Sequence, residues 1–173
     1  MSDLAVFIAT IVLFAGLSTT LWGCVGGLRW VLGRTHPLPI RESRIRPGQV
    51  GVLIAAHNEE TVIEDTIAAV SRLVPAGQVF VASDASTDRT AEIVRSCGAN
   101  VVELVTSHGK AGALVAGLRH FGLTRRFAVI MILDADTVPS DDYLYSGLPL
   151  FDDPAVAAVA GRASTRWPGG AGW

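Results

Sequence analysis

Two aspartates separated by one residue, Asp134 and Asp136, are the side chains of this sequence best suited to chemistry. They follow the apolar run 127–133, which is typical of a strand buried on both faces of a parallel sheet. Open α/β sheets bind ligands at the carboxyl ends of their strands. Paired carboxylates there suit Mg²⁺ or Mn²⁺, which prefer oxygen ligands and commonly bridge carboxylates to a diphosphate. An isolated Asp-x-Asp more often just begins a turn, so the neighbouring residues must decide.

The elements that must position these aspartates alternate between strands and helices after residue 48. Short apolar runs predict five strands, at 50–56, 78–82, 101–105, 127–133 and 155–160. Apolar residues at helical spacing predict four helices, at 61–74, 87–97, 111–121 and 140–150. Repeated βα units of this length predict an α/β fold with a doubly wound, mostly parallel sheet and right-handed crossovers.

Polar and charged side chains gather where the predicted strands end. They are His57, Asn58, Glu59, Asp84, Asp88, Lys110, Asp134 and Asp136. In a doubly wound sheet all these strand ends face one crevice, where a lysine suits phosphate and carboxylates suit a metal ion or hydroxyl groups. Each residue alone has an ordinary structural explanation. Asp84 and Asp88, at the end of the second strand, can be turn or cap residues. His57 can be a core histidine, and Lys110 can be a surface charge at the start of a helix. Their combination predicts a binding site.

Other patterns that bind phosphate or carry catalysis are missing from the sequence. Gly109-Lys110 is followed by alanine and lacks the spaced glycine of a P-loop, and no Gly-x-Gly-x-x-Gly follows the first strand. No His/Cys cluster has zinc spacing, and no Gly-x-Ser-x-Gly is present. The net charge of −2 also argues against a nucleic-acid partner.

An uncharged stretch at residues 4–28 predicts a membrane-spanning helix. It has about 25 residues, where a bilayer needs about 20. Asp3 precedes it and no basic residue does, unlike the start of a secretory signal. A very apolar buried helix is the alternative. Five arginines follow the stretch, Arg29, Arg34, Arg41, Arg44 and Arg46, so the positive-inside rule predicts a single-pass inner-membrane protein with its N-terminus outside and its domain in the cytoplasm.

Four strand-end segments, 56–60, 83–90, 109–114 and 134–136, resemble in order the signatures of family-2 inverting glycosyltransferases with the GT-A fold, a Rossmann-like nucleotide-binding arrangement. The resemblance covers about residues 50–162. It implies a membrane-anchored, divalent-metal-dependent enzyme of hexosyltransferase type. Such an enzyme transfers a sugar from a nucleotide-diphosphate sugar, with a UDP-sugar favoured, to a polysaccharide or lipid acceptor.

The resemblance also implies roles for individual residues. His57, Asn58 and Glu59 would line the base pocket, Asp84 would bind a uracil-type base, Lys110 would lie near the diphosphate, Asp134 would contact the ribose or the metal, and Asp136 would bind the metal. Ser83, Ala85 and His57 differ from the residues usual in the family, and these differences concern the choice of base rather than the fold.

The predicted organisation is a transmembrane helix at 4–30, a basic juxtamembrane linker at 31–48, a nucleotide-sugar-binding domain at 49–163 and a truncated or disordered tail at 164–173. The family's acceptor half, with its catalytic carboxylate, would follow about where this sequence stops. The general base is therefore expected outside the chain, which should bind donor without glycosylating an acceptor. The alternative from another class is a catalytically inactive membrane protein that binds nucleotide sugar or serves as a partner subunit.

Overall fold

A computed structural model describes residues 3–35 and 43–162 of the chain, with side chains at 6–7, 10–31 and 43–162. The chain divides into two compact units, Met1–Ile40 and Arg41–Trp173. The predicted tail at 164–173 and residues 36–42 of the predicted linker lie outside the described residues.

The first unit contains one α-helix, α1, from Asp3 to Thr35. Within it Thr10–Val31, 22 residues long, is apolar enough to cross a bilayer, and its side chains are exposed. This agrees with the prediction in length and composition. Leader sequences and apolar core helices can pass the same test, so membrane insertion stays a prediction.

The second unit is built on a four-stranded parallel sheet with the order β3-β2-β1-β4. Its strands are β1 Val50–Ala56, β2 Val79–Asp84, β3 Asn100–Leu104 and β4 Val129–Asp134. The central strand β1 is buried almost throughout because its side chains are all apolar and helices cover both faces of the sheet. The predicted doubly wound α/β fold is confirmed.

Five helices follow in chain order: α2 Ile63–Val70, α3 Thr90–Ser96, α4 Gly109–His120, α5 Leu123–Arg126 and α6 Tyr143–Gly147. Single 3₁₀ turns occur at Pro47–Gln49, Ala76–Gln78 and Leu148–Asp152. On one face of the sheet Ile67 of α2 and Val94 of α3 join the larger core. On the other face Leu53 and Phe80 form a smaller core with residues of α4 and α5.

Two features of the predicted sheet are wrong. Strand β4 is an edge strand rather than one buried on both faces, and Ile132 in it is 54% exposed. The predicted strand at 155–160 is not formed, since residues 156–162 have no regular secondary structure. A strand needs a hydrogen-bonded neighbour, and the backbone N–H of Val156 instead donates within a turn to the carbonyl of Asp153, at 3.0 Å.

Helix α4 approaches the sheet closely at Gly117. A Cβ atom there would lie 2.9 Å from Leu53 Cδ1 and 3.2 Å from Ala82 Cβ, closer than carbon atoms pack. Glycine is therefore the residue that lets this helix cover β1 and β2.

Replacing Gly117 with valine should lower the free energy of unfolding by about 1–3 kcal/mol, because the added methyl groups overpack the α4–sheet interface. Urea unfolding of the chain in detergent, followed by circular dichroism, measures the change. Gly48→Val is the matched control, since nothing lies within 4 Å of a Cβ at Gly48. Equal stability of the two variants would contradict the close approach.

Candidate functional site

A cavity of about 280 Å³ lies at the carboxyl edge of the sheet. Its lining consists of Ala55, Ala56, His57, Glu59, Asp84, Lys110, Asp134, Ala135 and Asp136. The sheet explains this convergence: Ala55 near the end of β1 lies opposite Ala82 of β2 on one side and Asp134 of β4 on the other. Of the residues that the sequence analysis places at the site, Asn58 and Asp88 are missing from this lining.

Asp84 is buried at the end of β2, 4% exposed, and both of its carboxylate oxygens accept hydrogen bonds. Ser107 Oγ donates to Oδ2 at 2.9 Å, and the backbone N–H of His108 donates to Oδ1 at 2.7 Å. Burial alone would raise the pKa of Asp84, but bonds from the His108 backbone, the Ser107 hydroxyl and the Gly109 backbone together hold it below its ordinary value. The ionised carboxylate therefore fixes the loop before α4.

Ser107 and His108 were not among the site residues predicted from the sequence. Both follow β3 in a turn, where polar residues are common, so their types carry no specific signal. Their contribution depends on the contact with Asp84, which is 23 and 24 residues away in the chain. The loop they form leads directly into Lys110.

Lys110 and Asp134 form an ion pair across the cavity, with Nζ 2.5 Å from Oδ1. Their side chains are 60% and 50% exposed, so solvent screens the attraction. Exposed pairs of this kind contribute about 0–1 kcal/mol, and a ligand can replace either partner at small cost. Asp136 lines the same cavity and is exposed, and none of its described neighbours forms an ion pair or hydrogen bond with its side chain.

His57 and Asn58 occupy the turn after β1. His57 Nδ1 lies 2.5 Å from the backbone carbonyl of Asp84, and because that oxygen can only accept, Nδ1 carries the proton. In the neutral ring Nε2 is then an acceptor, and Asn58 Nδ2 lies 3.3 Å from it. Asn58 has a φ of +55°, and its Oδ1 accepts a 2.8 Å bond from the backbone N–H of Thr87. The structure thus places Asn58 as a link between the β1 and β2 loops.

Asp88 performs a similar linking role beside the cavity. Its carboxylate accepts bonds from the backbone N–H of Glu60 at 3.0 Å and from the hydroxyl of Thr90 at 2.6 Å. Burial would raise the pKa of Asp88, but these bonds, with the Thr90 backbone, lower it below its ordinary value. The hydroxyl of Thr90 in turn accepts from the backbone N–H of Glu59 at 2.8 Å. Asp88, which precedes the N-cap residue Arg89 of α3, is therefore accounted for as a structural residue that ties two loops together.

Asp134 and Asp136 are the residues of the cavity that could hold a metal ion. Both present carboxylate oxygens, the ligand type that Mg²⁺ and Mn²⁺ prefer. Within the described ranges no group of three or more His, Cys, Asp or Glu side chains is arranged to enclose an ion. The two aspartates fit an ion that takes its remaining ligands from water and from a bound diphosphate, as is usual for Mg²⁺.

Asp84→Asn should lower the free energy of unfolding at neutral pH by about 1–3 kcal/mol, because a buried side chain loses the ionised form that accepts two hydrogen bonds. The pKa of Asp84 is lower in the folded chain than in the unfolded one. Its contribution is therefore complete above the unfolded value, about 4, and is lost as the pH falls towards the folded value. Urea unfolding at a series of pH values should show the difference between wild type and variant shrinking on acidification.

The control is Asp141→Asn, since the side chain of Asp141 is 80% exposed and pairs, among the described residues, with Arg72 alone. It should change stability little at any pH. A wild-type advantage over Asp84→Asn that stays constant between neutral and acidic pH would contradict the assigned role of the carboxylate.

Comparison with known proteins gives consistent results. Residues 51–173 match the model of a family described as glycosyl transferase family 2. The chain is 28% identical over 164 residues to a poly-beta-1,6-N-acetyl-D-glucosamine synthase of Staphylococcus epidermidis, an alignment that covers 89% of this chain and 39% of the relative. It is 33% identical over 120 residues to the synthase of the same name in Staphylococcus aureus, covering 66% of this chain and 28% of the relative.

Among solved structures, the fold resembles a mannosyltransferase from Pyrobaculum calidifontis in complex with GDP-Man and Mn²⁺. The TM-score is 0.58 and the sequence identity 27%, over 82% of this chain and 44% of that chain. The chain thus spans less than half the length of each of these proteins.

Proposed function

We propose that this chain, which belongs to glycosyl transferase family 2, carries the donor-binding site of a membrane-anchored glycosyltransferase. In this proposal the enzyme transfers a hexose, with inversion, from a nucleotide-diphosphate sugar to a polysaccharide or lipid acceptor. The observation that carries the proposal is the cavity at the carboxyl edge of the sheet, where Lys110 and the carboxylates Asp84, Asp134 and Asp136 converge. These are groups suited to a diphosphate and its metal ion.

The relatives support the proposed substrates. The staphylococcal proteins are named as synthases of poly-beta-1,6-N-acetyl-D-glucosamine, which favours a polysaccharide product. The structural neighbour holds GDP-Man and Mn²⁺, which favours a nucleotide-diphosphate sugar with a divalent ion. The sequence resemblance favours a uridine nucleotide, whereas this neighbour holds a guanosine nucleotide. Binding should therefore be measured with both nucleotides.

In this proposal, different residues of the cavity bind different parts of the donor and its metal ion. Lys110 exchanges its exposed pair with Asp134 for the diphosphate, which carries more negative charge than one carboxylate. This exchange frees Asp134 to act with Asp136 as a metal ligand. A bound Mg²⁺ or Mn²⁺ supplies positive charge that stabilises the departing diphosphate. Asp84 acts by holding the loop that presents Lys110, and its oxygens retain lone pairs for the base contact that the family resemblance implies.

Asp136→Asn should weaken binding of uridine or guanosine diphosphate in the presence of Mn²⁺ by at least roughly ten- to hundredfold, the loss typical when a residue that only orients a metal ligand is changed. A carbonyl oxygen would replace one anionic ligand while the fold stays intact. Isothermal titration calorimetry of the chain in detergent, with Mn²⁺ and then with EDTA, measures the effect.

Asp65→Asn is the matched control, because Asp65 is an exposed aspartate in the first turn of α2, outside the cavity lining. It should bind both nucleotides like the wild type. If wild type and Asp136→Asn bind equally, with and without metal, Asp136 is not a metal ligand of the site.

We also propose that α1 anchors the protein in the membrane, with the domain in the cytoplasm. The support is the length and apolar composition of Thr10–Val31 together with the arginines that follow it. A reporter active only in the cytoplasm should be active when joined after Arg46 and silent when joined to the N-terminus. The opposite pattern would overturn the orientation.

A further inference from the structure

Lys110 stands out among the basic residues of the chain. The sequence has 14 lysine and arginine residues, and Lys110 is the only lysine among them. Its ammonium group is paired with Asp134 in the cavity at the carboxyl edge of the sheet, here called the donor cavity. Asp136, the other carboxylate there that suits a metal ion, has no such partner among the described residues. In the free chain a cation thus already occupies one of the two candidate metal ligands.

The charges around this ion pair leave little attraction for a divalent ion alone. Lys110 offsets the charge of Asp134, and the amino end of α4 beside it adds partial positive charge with no acidic residue in its first turn. Within the described ranges no third His, Cys, Asp or Glu side chain joins Asp134 and Asp136 in a group that would enclose an ion. Proteins usually hold Mg²⁺ by one or two carboxylates together with substrate phosphates, so Asp136 without phosphate should hold an ion weakly.

The side chain of Lys110 can change partner while its backbone stays in place. Lys110 is the second residue of α4, behind a loop that the buried carboxylate of Asp84 fixes through Ser107 and His108. Gly117 packs the same helix against the sheet. The ammonium group, by contrast, ends a flexible four-carbon stem on a side chain that is 60% exposed. Lysine suits such an exchange better than arginine, whose planar fork favours one bidentate geometry.

We infer that the ion pair of Lys110 with Asp134 closes the metal site until a nucleotide diphosphate binds, so that the nucleotide and the metal ion enter together. The diphosphate carries more negative charge than one carboxylate and draws the ammonium group away. Asp134 is then released to bind the ion with Asp136 and the diphosphate oxygens. The inference rests on the proposed function and adds to it that Lys110 opposes metal binding in the free chain.

The inference predicts effects of opposite sign on the two ligands. Coupling between two ligands is reciprocal, so the nucleotide raises the affinity for the ion by the same factor as the ion raises the affinity for the nucleotide. Removing the ammonium group of Lys110 should therefore strengthen binding of the ion alone, weaken binding of the nucleotide and reduce the coupling between them. A lysine that served only to bind the diphosphate would, when removed, weaken nucleotide binding and leave binding of the ion alone unchanged.

The test uses the full chain in detergent and follows the electron spin resonance signal of free Mn²⁺. Binding of Mn²⁺ is measured alone and then with uridine or guanosine diphosphate, after correction for Mn²⁺ held by the nucleotide in solution. Lys110→Met should bind Mn²⁺ alone roughly two- to tenfold more tightly than the wild type, the range expected when an exposed ion pair and its positive charge are removed. Nucleotide should raise the Mn²⁺ affinity of this variant by a smaller factor than in the wild type.

Three further variants serve as controls. Lys110→Arg keeps a positive charge beside Asp134 and should bind Mn²⁺ alone no more tightly than the wild type. Arg89→Gln removes an exposed positive charge that pairs with Glu60 outside the cavity lining, so it should leave both affinities unchanged. The double variant Lys110→Met and Asp134→Asn should lose most of the gain in Mn²⁺ affinity, because the released carboxylate of Asp134 is what binds the ion.

If Lys110→Met shows no gain in affinity for Mn²⁺ alone while the wild type binds nucleotide with Mn²⁺, the inference is overturned and the proposed donor site stands. A gain that Lys110→Arg shares would also overturn the inference, because the positive charge beside Asp134 would then not be what excludes the ion. If the wild type binds neither nucleotide, with or without Mn²⁺, the proposed function itself is overturned, and this inference with it.

Discussion

The parallel pairing of β1 with both β2 and β4 is the constraint on which the rest of this structure depends. It places three carboxyl ends side by side, so that His57, Asp84 and Asp134 meet although they are far apart in the sequence. The pairing is possible because β1 carries only apolar side chains and can be covered on both faces. Stability and site geometry therefore share one cause.

The loops above these strand ends are held by one another as well as by the sheet. Asp84 accepts from the loop before α4, Asn58 accepts from the loop after β2, and Asp88 accepts from the loop after β1. The pKa values of Asp84, which is buried, and of Asp88, which is half-buried, are lowered, so both carboxylates stay ionised near neutral pH and these links persist under the conditions in which a nucleotide would bind. In contrast, Lys110, Asp134 and Asp136 are exposed and free to change partners. The site thus combines a fixed frame with exchangeable charges.

Helix α4 connects the two edges of the sheet. Its first turn presents Lys110 to the donor cavity, and its last turn carries the basic residues Arg119 and His120. The close approach at Gly117 fixes the helix against β1 and β2 between these ends. Because the helix cannot shift without losing this contact, the positions of the residues at both of its ends depend on the packing at Gly117.

Local properties of the sequence determined the order of strands and helices and the residue types at the strand ends. Apolar periodicity is set by neighbouring residues, and the fold class inferred from it is confirmed. Contacts between distant residues were decided only by the tertiary structure. These include the edge position of β4, the absence of a strand at 155–160, the ion pair of Lys110 with Asp134, and the capture of Asp84 by the loop before α4. Each depends on which segments become neighbours in space, and that choice belongs to the packed chain as a whole rather than to any one stretch of it.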